Sequence, residues 1–272
     1  MVDTYDAKFQ DPAAILRGSA RDAASQPKLK LVLFDIDGTL LSSGMFTKCL
    51  GKIIEKEFGS AVNTESLKNR AKTGRTVRSE LMIIAGEAGI PEGSQKEFVE
   101  KILASATTEF KIELSKSPLK LLDGVAELIE RLSKREDTVL GIVTNNIREM
   151  MLLKLSSVDL LEMFSRYGMM FPGDSTGHKS GLIKSAADHA VEKFGSRLDR
   201  KDIFYIGDQV SDVLGAKLSG VVAVGVATGR SSFGELAAAG AFAVFHNLSD
   251  TNAAMGVIYG PRRQTARKKV SL

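Results

Sequence analysis

Along most of this chain, short apolar runs rich in β-branched residues alternate with amphipathic helical patterns, and that alternation limits the possible folds more than any other feature. The runs lie at 29–34, 139–143, 168–171, 203–206, 221–226 and 242–245. They lack the strict in-and-out period of a half-exposed strand, so they read as strands buried on both faces. Helical patterns near 123–135, 147–158, 180–194, 209–219 and 232–240 fill the intervals. Strand followed by helix, repeated, predicts an α/β fold with a parallel sheet core and helices on both faces.

One interval breaks the rhythm. Residues 42–138 hold about a hundred residues where an ordinary crossover takes far fewer. Helical patterns at 46–58, 66–72, 78–88 and 95–114 occupy it, separated by Gly59, Thr73-Gly74 and Gly89-Ile90-Pro91. The expectation is an all-helical domain at 42–117, inserted into an α/β core made of 29–41 and 118–260. Residues 1–28 carry no sustained period and read as a flexible extension. Organellar targeting by that extension stays open, although Asp3, Asp6 and Asp11 are acids that targeting peptides avoid.

Composition removes several classes of protein. Hydrophobic residues are 43% and charged residues 26%, the balance of an ordinary globular chain. No apolar run is long enough for a bilayer, so no membrane partner is expected. Cys49 is the single cysteine, which rules out an internal disulfide and a Cys-built metal site and suits the cytoplasm. The net charge of +4 arises in a basic tail, 261–272, which holds Arg262, Arg263, Arg267, Lys268 and Lys269 and no acid. The remainder carries no basic excess to grip a phosphate backbone, so no nucleic acid is expected. Oligomeric state leaves no trace in the sequence.

The first strand runs into Asp35-Ile36-Asp37-Gly38-Thr39-Leu40. Asp35 therefore falls at the carboxyl end of a parallel strand, where open α/β sheets bind ligands. Asp37 follows closely enough that the two like charges need a cation or a protonation difference. A second acidic pair stands at Gly207-Asp208-Gln209-Val210-Ser211-Asp212, after the run at 203–206. Buried carboxylates one helical turn apart are costly unless something positive sits between them. A divalent cation with oxygen ligands, Mg²⁺ above all, meets that need.

These segments, in this order, resemble the haloacid dehalogenase-like superfamily, in particular its phosphatase branch with a helical cap inserted after the first motif, similar to phosphoglycolate phosphatases. The resemblance spans residues 29 to 246. It implies a Rossmann-like core and an aspartyl-phosphate mechanism. Asp35 would be the nucleophile and Asp37 the general acid and base. Asp35, the backbone carbonyl of Asp37, Asp208 and Asp212 would form the Mg²⁺ site. Thr144 and Asn145, in Gly141-Ile142-Val143-Thr144-Asn145-Asn146, would bind phosphate with a basic residue opening a later helix. Lys179 is preferred for that place because it opens the helix, although Ser180 stands where the family usually has Pro, and Lys184 is a rival. Asp37 favours phosphate esters over carbon–halogen bonds.

In the insertion, Thr73-Gly74-Arg75-Thr76 resembles a cap loop. Arg75 there either pairs with a substrate carboxylate or second phosphate or is a solvated arginine, and Val77 stands where the family commonly has Asp. The function implied is hydrolysis of a small phosphorylated metabolite. A sugar-phosphate mutase and a non-catalytic binding protein on the same scaffold are the alternatives.

Overall fold

The computed structural model describes residues 27–42, 44–59, 67 and 73–261. Most of the extension at 1–28, the helical pattern at 66–72 and the tail beyond 261 fall outside the described residues.

The first strand, β1 (Lys30–Phe34), is buried along almost its whole length, because its alternate side chains feed two different cores. Val32 and Phe34 point to one face of the sheet and Leu31 and Leu33 to the other. It lies at the centre of a six-stranded parallel sheet with β2 (Thr138–Val143), β3 (Met170–Phe171), β4 (Ile203–Gly207), β5 (Val222–Val226) and β6 (Ala243–Phe245). The order is β3-β2-β1-β4-β5-β6. β1 pairs in parallel with both β2 and β4, so the chain reverses its direction of travel across the sheet at β1. A crevice opens beyond the strand ends at such a switch point.

Among the described residues, seven α-helices that follow the insertion cover the two faces of the sheet. On the first face of the sheet lie α4 (Val125–Ser133), α5 (Arg148–Ser156) and α6 (Leu161–Ser165), and on the second α7 (Lys179–Phe194) and α8 (Val210–Leu218). Two more helices, α9 (Phe233–Ala238) on the second face and α10 (Thr251–Tyr259) on the first, complete the layers. The parallel α/β expectation is met by all six strands. β3 is shorter than expected, because Gly168 adopts φ 64° and closes a turn just before it. Neither α6 nor α10 was anticipated. The first is very short, and the second begins at an Asp250 cap, whose side chain accepts from the Ala253 amide at 2.9 Å.

Between β1 and β2, helices α1 (Met45–Phe58), α2 (Val77–Glu87) and α3 (Glu92–Lys116) pack around an apolar cluster of their own. Phe46 meets Phe110 edge to face in that cluster, their ring centres 5.9 Å apart. The core supplies Ile147 and Met150, while Met151 and Leu155 of the same helix α5 face the sheet. α5 is thus the element shared by the two packing units. The chain leaves and re-enters the core side by side: Leu41 forms an antiparallel bridge with Leu121, and the Leu122 amide donates to the Leu40 carbonyl at 2.9 Å.

Candidate active site

The carboxyl ends of β1 and β4 lie next to each other, so the residues that follow them converge. Asp35 follows β1 and its amide donates to the Ile206 carbonyl at 2.9 Å. Asp208 follows β4, and Asp212 lies in the first turn of α8, where its carboxylate accepts from the Gln209 amide at 3.0 Å. The three side chains are buried, with one oxygen of each within 4.8 Å of the others.

Glycine makes this crowding possible. A Cβ on Gly38 would stand 2.6 Å from an Asp208 oxygen, and Gly38 also needs its φ of 82° to turn the chain. At Gly229 the same atom would come within 1.8 Å of Asp208. The loop carrying Gly229 closes the site: the Thr228 hydroxyl donates to the Gly38 carbonyl at 2.6 Å and the Arg230 amide to Asp208 at 2.9 Å.

Lys179, the first residue of α7, reaches this cluster from behind. Its ammonium is 2.9 Å from Asp35 and 3.4 Å from Asp212, and it donates to the Tyr205 hydroxyl at 3.0 Å. Burial works against its charge, but Asp212 and Asp35 outweigh burial and hold its pKa above the ordinary lysine value. Lys184 points away to an exposed pair with Asp188 at 2.7 Å. The structure therefore brings Lys179, not its rival, to the acids.

One lysine does not balance three carboxylates. Burial pushes Asp35 up to about 6 from its ordinary 3.8; Lys179 opposes the shift and Asp212 adds to it. Asp208 is pushed well above the usual range, first by burial and then by the Asp212 and Asp35 charges. Excess negative charge and three carboxylate oxygens held within 4.8 Å of one another fit a hard divalent cation such as Mg²⁺.

A cleft opens over this cluster, lined by Asp35, Asp37, Thr144 and Asn145 from the predicted set. Thr144 holds Asn146, whose side-chain amide donates to the Thr144 hydroxyl at 2.8 Å and to Asp37 at 2.7 Å. The Asn145 side-chain oxygen is buried without a hydrogen-bond partner. Asp37 turns away from the acid cluster toward Lys154, which lies 2.7 and 2.6 Å from its two oxygens.

Arg75 is not part of the cleft lining. Its guanidinium lies 3.6 Å from the buried Glu80, and its backbone forms a bridge with His178. From the insertion it is Gly44, Phe46 and Thr47 that face the cleft.

Sequence reasoning did not single out Asn146, Lys154, Tyr205, Gln209 or Arg230. For Lys154 a signal existed: it shares a helical stripe with Met150, Met151 and Leu155, so a lysine occupies an otherwise apolar buried face.

A buried carboxylate trio at the switch point of a parallel α/β sheet, with a lysine against it, is the class of site this fold presents. Residues 32–226 match the haloacid dehalogenase-like hydrolase family, and the chain belongs to that family. A phosphoglycolate phosphatase of Agrobacterium fabrum is 26% identical over 211 residues, covering 75% of this chain and 83% of the relative. Among solved structures, a hydrolase from Pseudomonas syringae superposes with TM-score 0.63 at 22% identity, over 84% of this chain and 99% of the other. A predicted phosphoglycolate phosphatase from Haemophilus somnus 129pt gives 0.63 at 21%, over 84% and 98%. A Bacteroides vulgatus protein provisionally described as a beta-phosphoglucomutase gives 0.63 at 22%, over 90% and 97%. These three share the fold.

Proposed function

We propose that the protein is a Mg²⁺-dependent phosphatase that hydrolyses a small phosphomonoester, of the phosphoglycolate kind, through an aspartyl-phosphate on Asp35. The observation that carries this reading is the buried Asp35, Asp208 and Asp212 cluster with Lys179 2.9 Å from Asp35. Held by Asp35, the backbone carbonyl of Asp37 and Asp208, with Asp212 orienting from behind, Mg²⁺ would neutralise the charge of the transferring phosphoryl group. Thr144, the Asn145 amide and Lys179 hold the phosphoryl oxygens.

A carboxylate oxygen of Asp35 attacks phosphorus as the bond to the leaving oxygen breaks, and Asp37 delivers a proton to that oxygen. Water then attacks the phosphorus of the acyl phosphate, Asp37 takes its proton, and Asp35 is released with inorganic phosphate. The helical insertion acts as a cap: Phe46 and Thr47 stand over the cleft, exclude water and choose the leaving group.

Purified full-length protein is expected to release phosphate from p-nitrophenyl phosphate and acetyl phosphate only with Mg²⁺. Asp35→Asn should lower turnover by on the order of 10⁴-fold; an unchanged rate overturns the mechanism. A sugar-phosphate mutase would return the phosphoryl group to the substrate, so free phosphate separates the two.

A further inference from the structure

Lys154 is one of the most buried charges in the molecule, and neither the acid cluster nor the phosphate subsite uses it. Its side chain is 3% exposed and Asp37's is 26%. Burying an ammonium is costly unless its partners are well placed, and here both Asp37 oxygens lie within 2.7 Å. Asn146 completes the arrangement: its oxygen accepts from Lys154 at 3.3 Å while its nitrogen donates to Asp37 at 2.7 Å. On the other side the ammonium lies over the rings of Phe46 and Phe110, 6.0 and 5.9 Å from their centres. Phe46 opens α1, Phe110 lies in α3, and both belong to the insertion's apolar cluster.

We infer that Lys154 is a positioning residue: it fixes the carboxylate of Asp37 through a two-oxygen contact and ties that orientation to the seating of the helical insertion through Phe46 and Phe110. The inference rests on the reading of Asp37 as acid and base. Lys154 reaches no acid of the metal cluster in the structure, so its role is separate from that of Lys179. Without the insertion's two rings the ammonium would stand open to water on that side, and the clamp on Asp37 would loosen. A proton donor would then be in register with the leaving oxygen only while the insertion is seated.

The test uses the full chain with Lys154→Met, which keeps the length and suits the aromatic surroundings, and Lys154→Arg, which keeps the charge. Two esters are compared by kcat/KM, which reports transfer to Asp35. One is p-nitrophenyl phosphate, whose leaving group departs without a proton. The other is the fastest for wild type among phosphoglycolate, glycerol 3-phosphate and glucose 6-phosphate, whose alkoxides need one. Lys154→Met should cost the alkyl ester about 10²-fold and the aryl ester about threefold or less. It should add nothing in an Asp37→Asn background, and Lys154→Arg should recover most of the loss. Equal losses on both esters, or a full loss persisting without the Asp37 carboxylate, overturn the inference.

A thermal cycle of Lys154→Met, Asp37→Asn and the double variant is read alongside. Non-additive Tm shifts are expected for a coupled pair, and additive shifts overturn the clamp. Wild-type protein that turns over neither ester with Mg²⁺ defeats the phosphatase reading instead, and the thermal cycle still decides the pairing.

Discussion

Two buried lysines serve the site, Lys154 in the lining of the cleft and Lys179 against the acid cluster, and their surroundings differ in charge balance. Lys179 faces Asp35 and Asp212, with Asp208 close behind, so acids outnumber bases; burial first, and then the neighbouring carboxylates, raise the pKa values of Asp35 and Asp208. Lys154 faces one acid, Asp37, and Asn146 bridges the two. The unbalanced region calls for an added cation and the balanced one does not. In the proposed mechanism the carboxylates that hold the metal and the carboxylate that moves the proton thus have separate lysine partners, although Asp35 and Asp37 lie two residues apart in the chain.

The comparison breaks most visibly at Asp208. Asp208→Asn should lower turnover by on the order of 10³-fold and shift the Mg²⁺ dependence to higher concentration. A variant with a wild-type Mg²⁺ curve would place the cation elsewhere. Next, Lys179→Met leaves buried carboxylates uncompensated and should cost about 3 kcal/mol in chemical denaturation. Mg²⁺ should stabilise that variant by more than it stabilises wild type, whereas Lys154→Met should gain only the wild-type amount.

A smaller effect follows from Asp35. Its folded pKa lies above its unfolded value, so the folded protein binds the extra proton and loses stability as pH rises from about 4 through about 6. Added Mg²⁺ should then raise Tm by on the order of 5 °C at about 100 times its Kd near pH 8, and by much less near pH 5. Equal shifts at both pH values would detach the cation from these acids. The smallest change belongs to Arg75→Ala, which removes the partner of buried Glu80: Tm should fall by about 3 °C while kcat/KM stays within about threefold. A KM raised about tenfold at unchanged Tm would put Arg75 on the substrate instead.

The four inner strands were legible because they are buried on both faces and left unbroken apolar runs bounded by helical periodicity, while the edge strands β3 and β6 are only half-buried. Asp35, Asp208 and Asp212 were legible because each follows a strand or opens a helix, where sequence position fixes spatial position. Lys154 sits ten residues beyond Thr144 in the last turn of α5, and its meeting with Asp37 depends on how α5 rolls between sheet and insertion. No local pattern encodes that roll. Arg75 shows the converse: the loop was recognisable, but its guanidinium is directed by Glu80, a contact within the helix that follows.

The bridge between Leu41 and Leu121 has a consequence for how such chains diversify. Because departure and return are neighbours, everything between them is a graft on a single stem, and exchanging it leaves the sheet's connectivity untouched. A chimera carrying another insertion on that stem should keep the Mg²⁺-induced rise in Tm while changing which ester is turned over. Loss of the rise would show that the graft also shapes the metal cluster. In the proposed reading, ligand choice can then change in one segment while the acid cluster stays with the other.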